Sequence, residues 1–150
     1  MAKRPKVLVL FDVGEPTGLD VDYTEDLKST TWKTERHVLN ALRSLGYPFS
    51  VLGVHDNTAL IREMIKRFQP DVIFNMVEQF ANSLSNETHV TSYLELQGVP
   101  ITGCGSIGIA LAKNKILSKK IASFHGIRVP RFTVHEPGKI VSMGEELEFP

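Results

Sequence analysis

The chain predicts an α/β fold built on a doubly wound parallel sheet. Continuously apolar, β-branched runs recur at residues 6–11 (KVLVLF), 49–54 (FSVLGV), 71–75 (DVIFN) and 99–102 (VPIT). Between them lie segments whose apolar residues return at helical spacing. Strands that lack an inside–outside alternation suit a sheet covered on both faces. Strands that alternate with helices imply parallel pairing through right-handed crossovers.

The elements follow in order. Residues 6–11 read as a strand near the middle of the sheet. Residues 12–30 then turn polar and acidic, with Asp12, Glu15, Asp20, Asp22, Glu25 and Asp26, while Gly14, Pro16 and Gly18 break any regular element. A loop this long inside a compact domain is either functional or mobile, or a solvated insertion. Residues 34–45 are helical by period, with Val38, Ala41, Leu42 and Leu45 on one face and Gly46 at the end. After the second strand, Asp56, Asn57 and Thr58 supply an N-cap cluster, and Ile61, Met64, Ile65 and Phe68 share a helical face. Pro70 stops that helix and the third strand follows. Asn86 is placed to cap a helix carrying Val90, Tyr93, Leu94 and Gln97, and Gly98 closes it before the fourth strand.

Residues 103–105 make a glycine turn. Ser106 is expected to cap a short helix ending near Lys113, and Asn114 a second one with Leu117, Ile121 and Phe124 on one face. Gly126 and Pro130 end it. Residues 131–134 suit an extended strand. The tail from residue 136 reads as a turn, a short helical piece and an arrival at another strand.

Composition excludes several function classes. Lys+Arg and Asp+Glu both number 17, which argues against a nucleic-acid binder working through a basic field. No apolar run approaches the roughly 20 residues of a membrane span. The apolar run 7–11 is cut by Asp12 and is too short for a signal peptide. A single cysteine, Cys104, leaves no internal disulfide and fits a reducing cytoplasm. Free cysteine usually packs as a small hydrophobe, so Cys104 is expected to be buried, with a reactive thiol at a helix start as the other reading.

Residues 103–108 spell G-x-G-x-x-G. A dinucleotide site should follow the first strand of its unit and be answered by an acid about 20 residues on. Here the motif follows the fourth strand, and no acid lies near Ser123. The glycines therefore read as a tight turn. His37, His55, His89, His125 and His135 show no metal-ligand spacing. In an open parallel sheet, ligands sit beyond the carboxyl ends of the strands. Those ends carry Asp12 and Glu15, then Asn75 and Glu78, then the run from Thr102 to Ser106. They read as site residues or as ordinary helix caps.

Four passages together resemble a known family: VLVLFDV at 7–13, PDVIFN at 70–75, LELQGVPITGCGS at 94–106 and ALAKNKILSKKIASFHGIRVPRF at 110–132. They are similar to the N-terminal domain and the start of the ATP-grasp domain in D-alanine–D-alanine ligase-like ATP-grasp proteins. The resemblance implies a Rossmann-like pre-ATP-grasp domain over residues 1–112. A helical crossover and the truncated entry segment of the ATP-grasp domain would occupy residues 113–150. It implies a nucleotide-phosphate contact for Lys115, with Asn114 standing where the family has aspartate.

Other positions depart from the family. Its dipeptide-forming branch has a glutamate shortly before the first helix, a place that falls near Ser29 here. That branch also has a histidine–glycine pair and a Gly-Glu-Asp-Gly run after the third strand. This chain reads VEQFANSLSNET there, with Glu78 near the place of the histidine. A less specialised carboxylate–amine ligase is therefore expected, working through an acyl phosphate, with Glu78, Asn75 and Glu15 on the substrate side. Its second nucleotide lysine, magnesium-binding acids and adenine pocket would lie beyond Pro150. ATP and Mg2+ are expected of the intact enzyme, and neither is expected to be held by this chain alone. The partners expected are amino-acid or peptide-like substrates and ATP, without nucleic acid or membrane; a homodimer is left open. The alternative is a free-standing α/β ligand-binding or interaction module without chemistry.

Overall fold

The apolar run behind the basic lead-in forms β1, Val7–Asp12. The computed structural model describes residues 3–135 and 137–139. β2 is Phe49–Val54 and β3 is Val72–Met76, and the sheet is parallel in the order β2-β1-β3. Val7 lies opposite Phe49 on one side and Val72 on the other. The strand without alternation is thus the central one, covered on both faces.

Its two sets of side chains enter separate cores. Leu8 and Leu10 pack with Leu52, Val54 and Ile73 against α2 (Thr58–Phe68) and α3 (Glu87–Leu96), which contribute Ile61, Met64, Val90 and Leu94. Val7, Val9 and Phe11 face the other way, against Leu39 and Leu42 of α1 (Lys33–Ser44). Helices on both faces make the sheet doubly wound. Each fully buried Leu or Ile contributes about 1.5–3 kcal/mol relative to an exposed one. Leu45, expected on the inner face of α1, is the C-cap residue and points outward.

The fourth apolar run does not become a ladder strand. Only Ile101 pairs, through a parallel bridge to Ile73. The Ile73 N–H donates to the Pro100 carbonyl at 2.8 Å, and the Thr102 N–H donates to the Ile73 carbonyl at 2.9 Å. Pro100 has no N–H to extend the pairing. One step further, the Asn75 N–H finds the Thr102 hydroxyl at 3.1 Å instead of a backbone carbonyl.

The long segment after β1 is mostly exposed but is anchored to the domain through Tyr23. Tyr23 is buried, meets Phe11 edge-on at 5.2 Å and stacks on Trp32 at 5.9 Å. Its hydroxyl and that of Thr17 are 2.6 Å apart. Residues Asp26–Lys28 form a single 3-10 turn, and Arg36 donates to the carbonyls of Leu27 and Lys28 at 3.0 Å. Gly53 of β2 makes the docking possible. A Cβ there would come within 2.8 Å of Tyr23 Cζ and of Val13 Cγ1.

Two caps differ from expectation. Asn57 caps α2 by accepting from the Ala59 N–H at 2.9 Å, as its side chain allows. Asn86 makes no cap bond; it ends the 3-10 turn Leu84–Asn86, and its amide donates to the Phe80 carbonyl at 3.0 Å. Ser106 is the first residue of α4 (Ser106–Lys113) rather than its cap, and its hydroxyl is turned to Glu95.

The chain divides into two compact units, Met1–Ile109 and Ala110–Pro150. In the second, Asn114 caps α5 (Lys115–Phe124) by accepting from the Leu117 N–H at 3.0 Å. The apolar residues at helical spacing on α5 are exposed, with Phe124 at 86%. Residues 131–134, expected to be extended, form no strand. The helical piece and strand expected near the end of the tail fall largely on residues 140–150, outside the described residues.

Candidate functional site

The strand order locates the site. From β1 the chain passes to β2 on one side and later to β3 on the other, so the direction of winding reverses at β1. A crevice opens at the carboxyl ends of strands at such a point. Here it is a cleft of ≈ 750 Å³, within the range of small-molecule sites. Asp12 from the end of β1 and residues 75–79 from the end of β3 form one side. Trp32 and Glu35, where α1 begins, form another, and Thr102, Gly103 and Cys104 close it.

Backbone and side chains brace one another around this opening. Asp12 accepts the Glu78 N–H at 2.8 Å, tying the end of β1 to the loop after β3. Asn75 Oδ1 accepts the Val77 N–H at 3.3 Å. The turn behind Thr102 is held from α3. Glu95 accepts the Ser106 hydroxyl at 2.6 Å and the Ser106 N–H at 3.1 Å. These two donors, the hydroxyl first, hold the Glu95 carboxyl below the usual glutamate range. Gly105 leaves room for that carboxylate, since a Cβ there would lie 2.6 Å from Glu95 Oε1. Gly103 takes a φ of 90°, which a residue with a Cβ rarely adopts.

The expected site residues fall in three places. Asn75 and Glu78 line the cleft together. Glu15 is exposed on the segment after β1, next to the lining residue Gly14, and is not among the described lining residues. Lys115 is exposed at the first position of α5, in the second compact unit. Cys104 is exposed on the cleft wall rather than buried, because the glycine turn carries it outside both cores. Among the described residues, no three His, Cys, Asp or Glu side chains gather to hold a metal ion.

Sequence reasoning missed Glu35 and Trp32. Glu35 lines the cleft, and its Oε2 is buried without a hydrogen-bond partner. The expectation placed a glutamate position near Ser29; Glu35 comes later, in the first turn of α1, and lines the cleft along with Asp12, Glu78 and Glu87. A signal existed. The helix that follows β1 must begin at the carboxyl edge of the sheet, so its first turn faces the crevice.

A parallel α/β unit with a ligand-sized, carboxylate-bearing cleft at its switch point is the class these observations define. No protein-family model matches the chain. It is similar to a D-alanine–D-alanine ligase of Syntrophotalea carbinolica, 40% identical over 112 residues, which covers 75% of this chain and 35% of that protein. A D-alanine–D-alanine ligase of Geobacter sulfurreducens is 33% identical over 106 residues, covering 69% and 31%. An uncharacterized protein of Sinorhizobium fredii is 29% identical over 119 residues, covering 75% and 34%. These similarities relate the chain to ligases, and it spans about a third of the length of the curated relatives it matches. Among the described residues, no helix is long and apolar enough to cross a membrane.

Proposed function

We propose that this chain supplies the substrate-side domain of a cytoplasmic ATP-dependent carboxylate–amine ligase. On this reading residues 1–112 are its N-terminal α/β domain, and 113–150 enter the ATP-grasp domain. The observation that carries the proposal is the cleft at the carboxyl ends of β1 and β3, which holds Asn75, Glu78 and Glu35 together. Similarity to D-alanine–D-alanine ligases over 69–75% of the chain supports the reaction class.

In the proposed reaction a substrate carboxylate oxygen attacks the γ-phosphorus of ATP, and ADP departs. The amine of the second substrate, having lost its proton, attacks the acyl carbonyl, and phosphate leaves. The residues of this chain bind and orient. Glu35 and Glu78 accept hydrogen bonds from a substrate ammonium, and the Asn75 amide adds a neutral partner. Glu15 stands at the rim. Lys115 gives a compact positive charge to the nucleotide phosphates, and the N–H groups at the start of α5 favour the same anion. Magnesium would come with the nucleotide. No group of side chains among the described residues suits it, so no step here passes through it.

The test uses the longer protein that carries this chain, screened for ATP-dependent phosphate release over amino acids and dipeptides. Release that requires both a carboxylate and an amine is expected, and its absence across the screen defeats the ligase reading. Lys115→Ala should weaken nucleotide binding roughly ten- to a hundredfold, the scale of one charge-assisted hydrogen bond. Its folding stability should barely change, since Lys115 is exposed. Lys115→Arg should recover part of the loss. Unchanged affinity in Lys115→Ala, by calorimetric titration, removes Lys115 from the site.

A further inference from the structure

One side of the cleft hangs between two anchors. Thr102, Gly103, Cys104 and Ile109 line it. At Thr102 the chain is pinned to β3, with its N–H on the Ile73 carbonyl at 2.9 Å and its hydroxyl accepting the Asn75 N–H at 3.1 Å. Gly103, Cys104 and Gly105 follow, all exposed, and two glycines give the backbone little stiffness of its own. The Ile109 N–H donates to the Gly105 carbonyl at 3.0 Å, so Ile109 moves with the start of α4. The second anchor is Glu95, which takes the Ser106 hydroxyl on one oxygen and the Ser106 N–H on the other. A serine at a helix start commonly turns its hydroxyl to N–H groups of its own helix. Here it donates to a carboxylate from α3, and that charge also meets the positive end of α4. Glu95 itself is not among the described lining residues. All these groups belong to the first compact unit.

We propose that Glu95 is a positioning residue for the cleft. Through Ser106 it holds the wall from Thr102 to Ile109 where a bound substrate needs it, and it thereby sets the affinity for that substrate. With Glu95 in place the wall is ordered before binding. Without it, binding must order the wall, which weakens the ground state and the transition state alike. KM then rises while kcat changes little. The positioning role needs only the cleft; its effect on turnover rests on the ligase reading.

The test attaches a nitroxide to Cys104, the single cysteine and an exposed one, in the 150-residue chain. Its mobility is read by electron paramagnetic resonance. Glu95→Ala removes both acceptors at an exposed helical position, and circular dichroism checks the fold. The nitroxide is expected to gain a fast component in Glu95→Ala and a smaller one in Ser106→Ala. Ser106→Thr keeps both donors and should keep the wild-type spectrum. An unchanged spectrum in Glu95→Ala overturns the proposal. If Glu95→Ala loses the fold, Ser106→Ala decides in its place. In the longer protein, Glu95→Ala should raise the KM of the amino acid that supports phosphate release by about three- to tenfold, the scale of one net hydrogen bond. A fall in kcat at unchanged KM would mark a merely structural role and overturn the proposal as well. If the longer protein turns over no amino acid, the ligase reading falls, and the nitroxide spectrum alone judges Glu95.

Discussion

Gly53→Ala tests whether the segment after β1 is seated by one close approach. The new methyl would sit 2.8 Å from Tyr23 Cζ and from Val13 Cγ1, well inside van der Waals contact, and closer still to the Tyr23 hydroxyl. Tyr23 is wedged between Phe11 and Trp32, so its ring cannot slide without loosening both aromatic contacts. Overpacking of this kind costs about 1–3 kcal/mol. Each weakened aromatic pair adds about 0.5–1.5 kcal/mol. Replacing glycine returns about 0.4–1 kcal/mol by narrowing the unfolded ensemble. The net expectation is a loss of about 1–6 kcal/mol, the upper end if both aromatic pairs are lost. With a urea slope of about 2 kcal/mol per molar, the midpoint should fall by about 0.5–3 M. Trp32 fluorescence should shift in the folded baseline, because Tyr23 stacks on it. The same substitution in a Tyr23→Ala background should cost much less, since the obstructing ring is gone. An equal cost in both backgrounds would refute the clash as the cause.

Two further predictions concern the frame of the cleft. Thr102→Val removes the acceptor for the Asn75 N–H. It should cost about 1–3 kcal/mol, the scale of a buried donor left unsatisfied, and speed amide exchange at Asn75; unchanged exchange there would show that the hydroxyl is not the acceptor. Glu95 carries a pH dependence whose sign follows from its lowered pKa. Its contribution is present above the ordinary glutamate value and is lost as pH falls through the depressed folded value. Glu95→Gln should therefore be less stable than wild type at about pH 6, and the gap should close as pH falls below the ordinary glutamate value and through the depressed folded one. A constant gap in urea midpoint across that range would mean that the carboxylate charge contributes nothing.

Local patterns set the parts of this fold that depend on near neighbours. The unbroken apolar run of β1 required cover on both faces, and the strand lies between β2 and β3. Ile61 and Met64 recur at helical spacing and are buried on one face of α2. Asn57 and Asn114 cap their helices because a short amide side chain can reach N–H groups within its own turn. Asn75 and Glu78 were legible for a related reason, since residues just after a parallel strand emerge at its carboxyl edge.

Contacts between residues far apart in the chain decided the rest. Residues 99–102 look like a strand, but pairing depends on what Ile73 and Asn75 offer, and the ladder ends after one bridge. Residues 12–30 look solvated, yet Tyr23 is buried because Gly53, from a different strand, leaves space for its ring. Cys104 looks like a core residue by type, and the glycine turn held by Glu95 leaves it on the cleft wall. Glu35 looks like any acid in a first helical turn until β1 and β3 bring their carboxyl ends against it. A sequence carries periodicity and capping within a few residues. Which side chain meets an empty space or an unpaired N–H across the sheet is fixed only when the chain closes on itself.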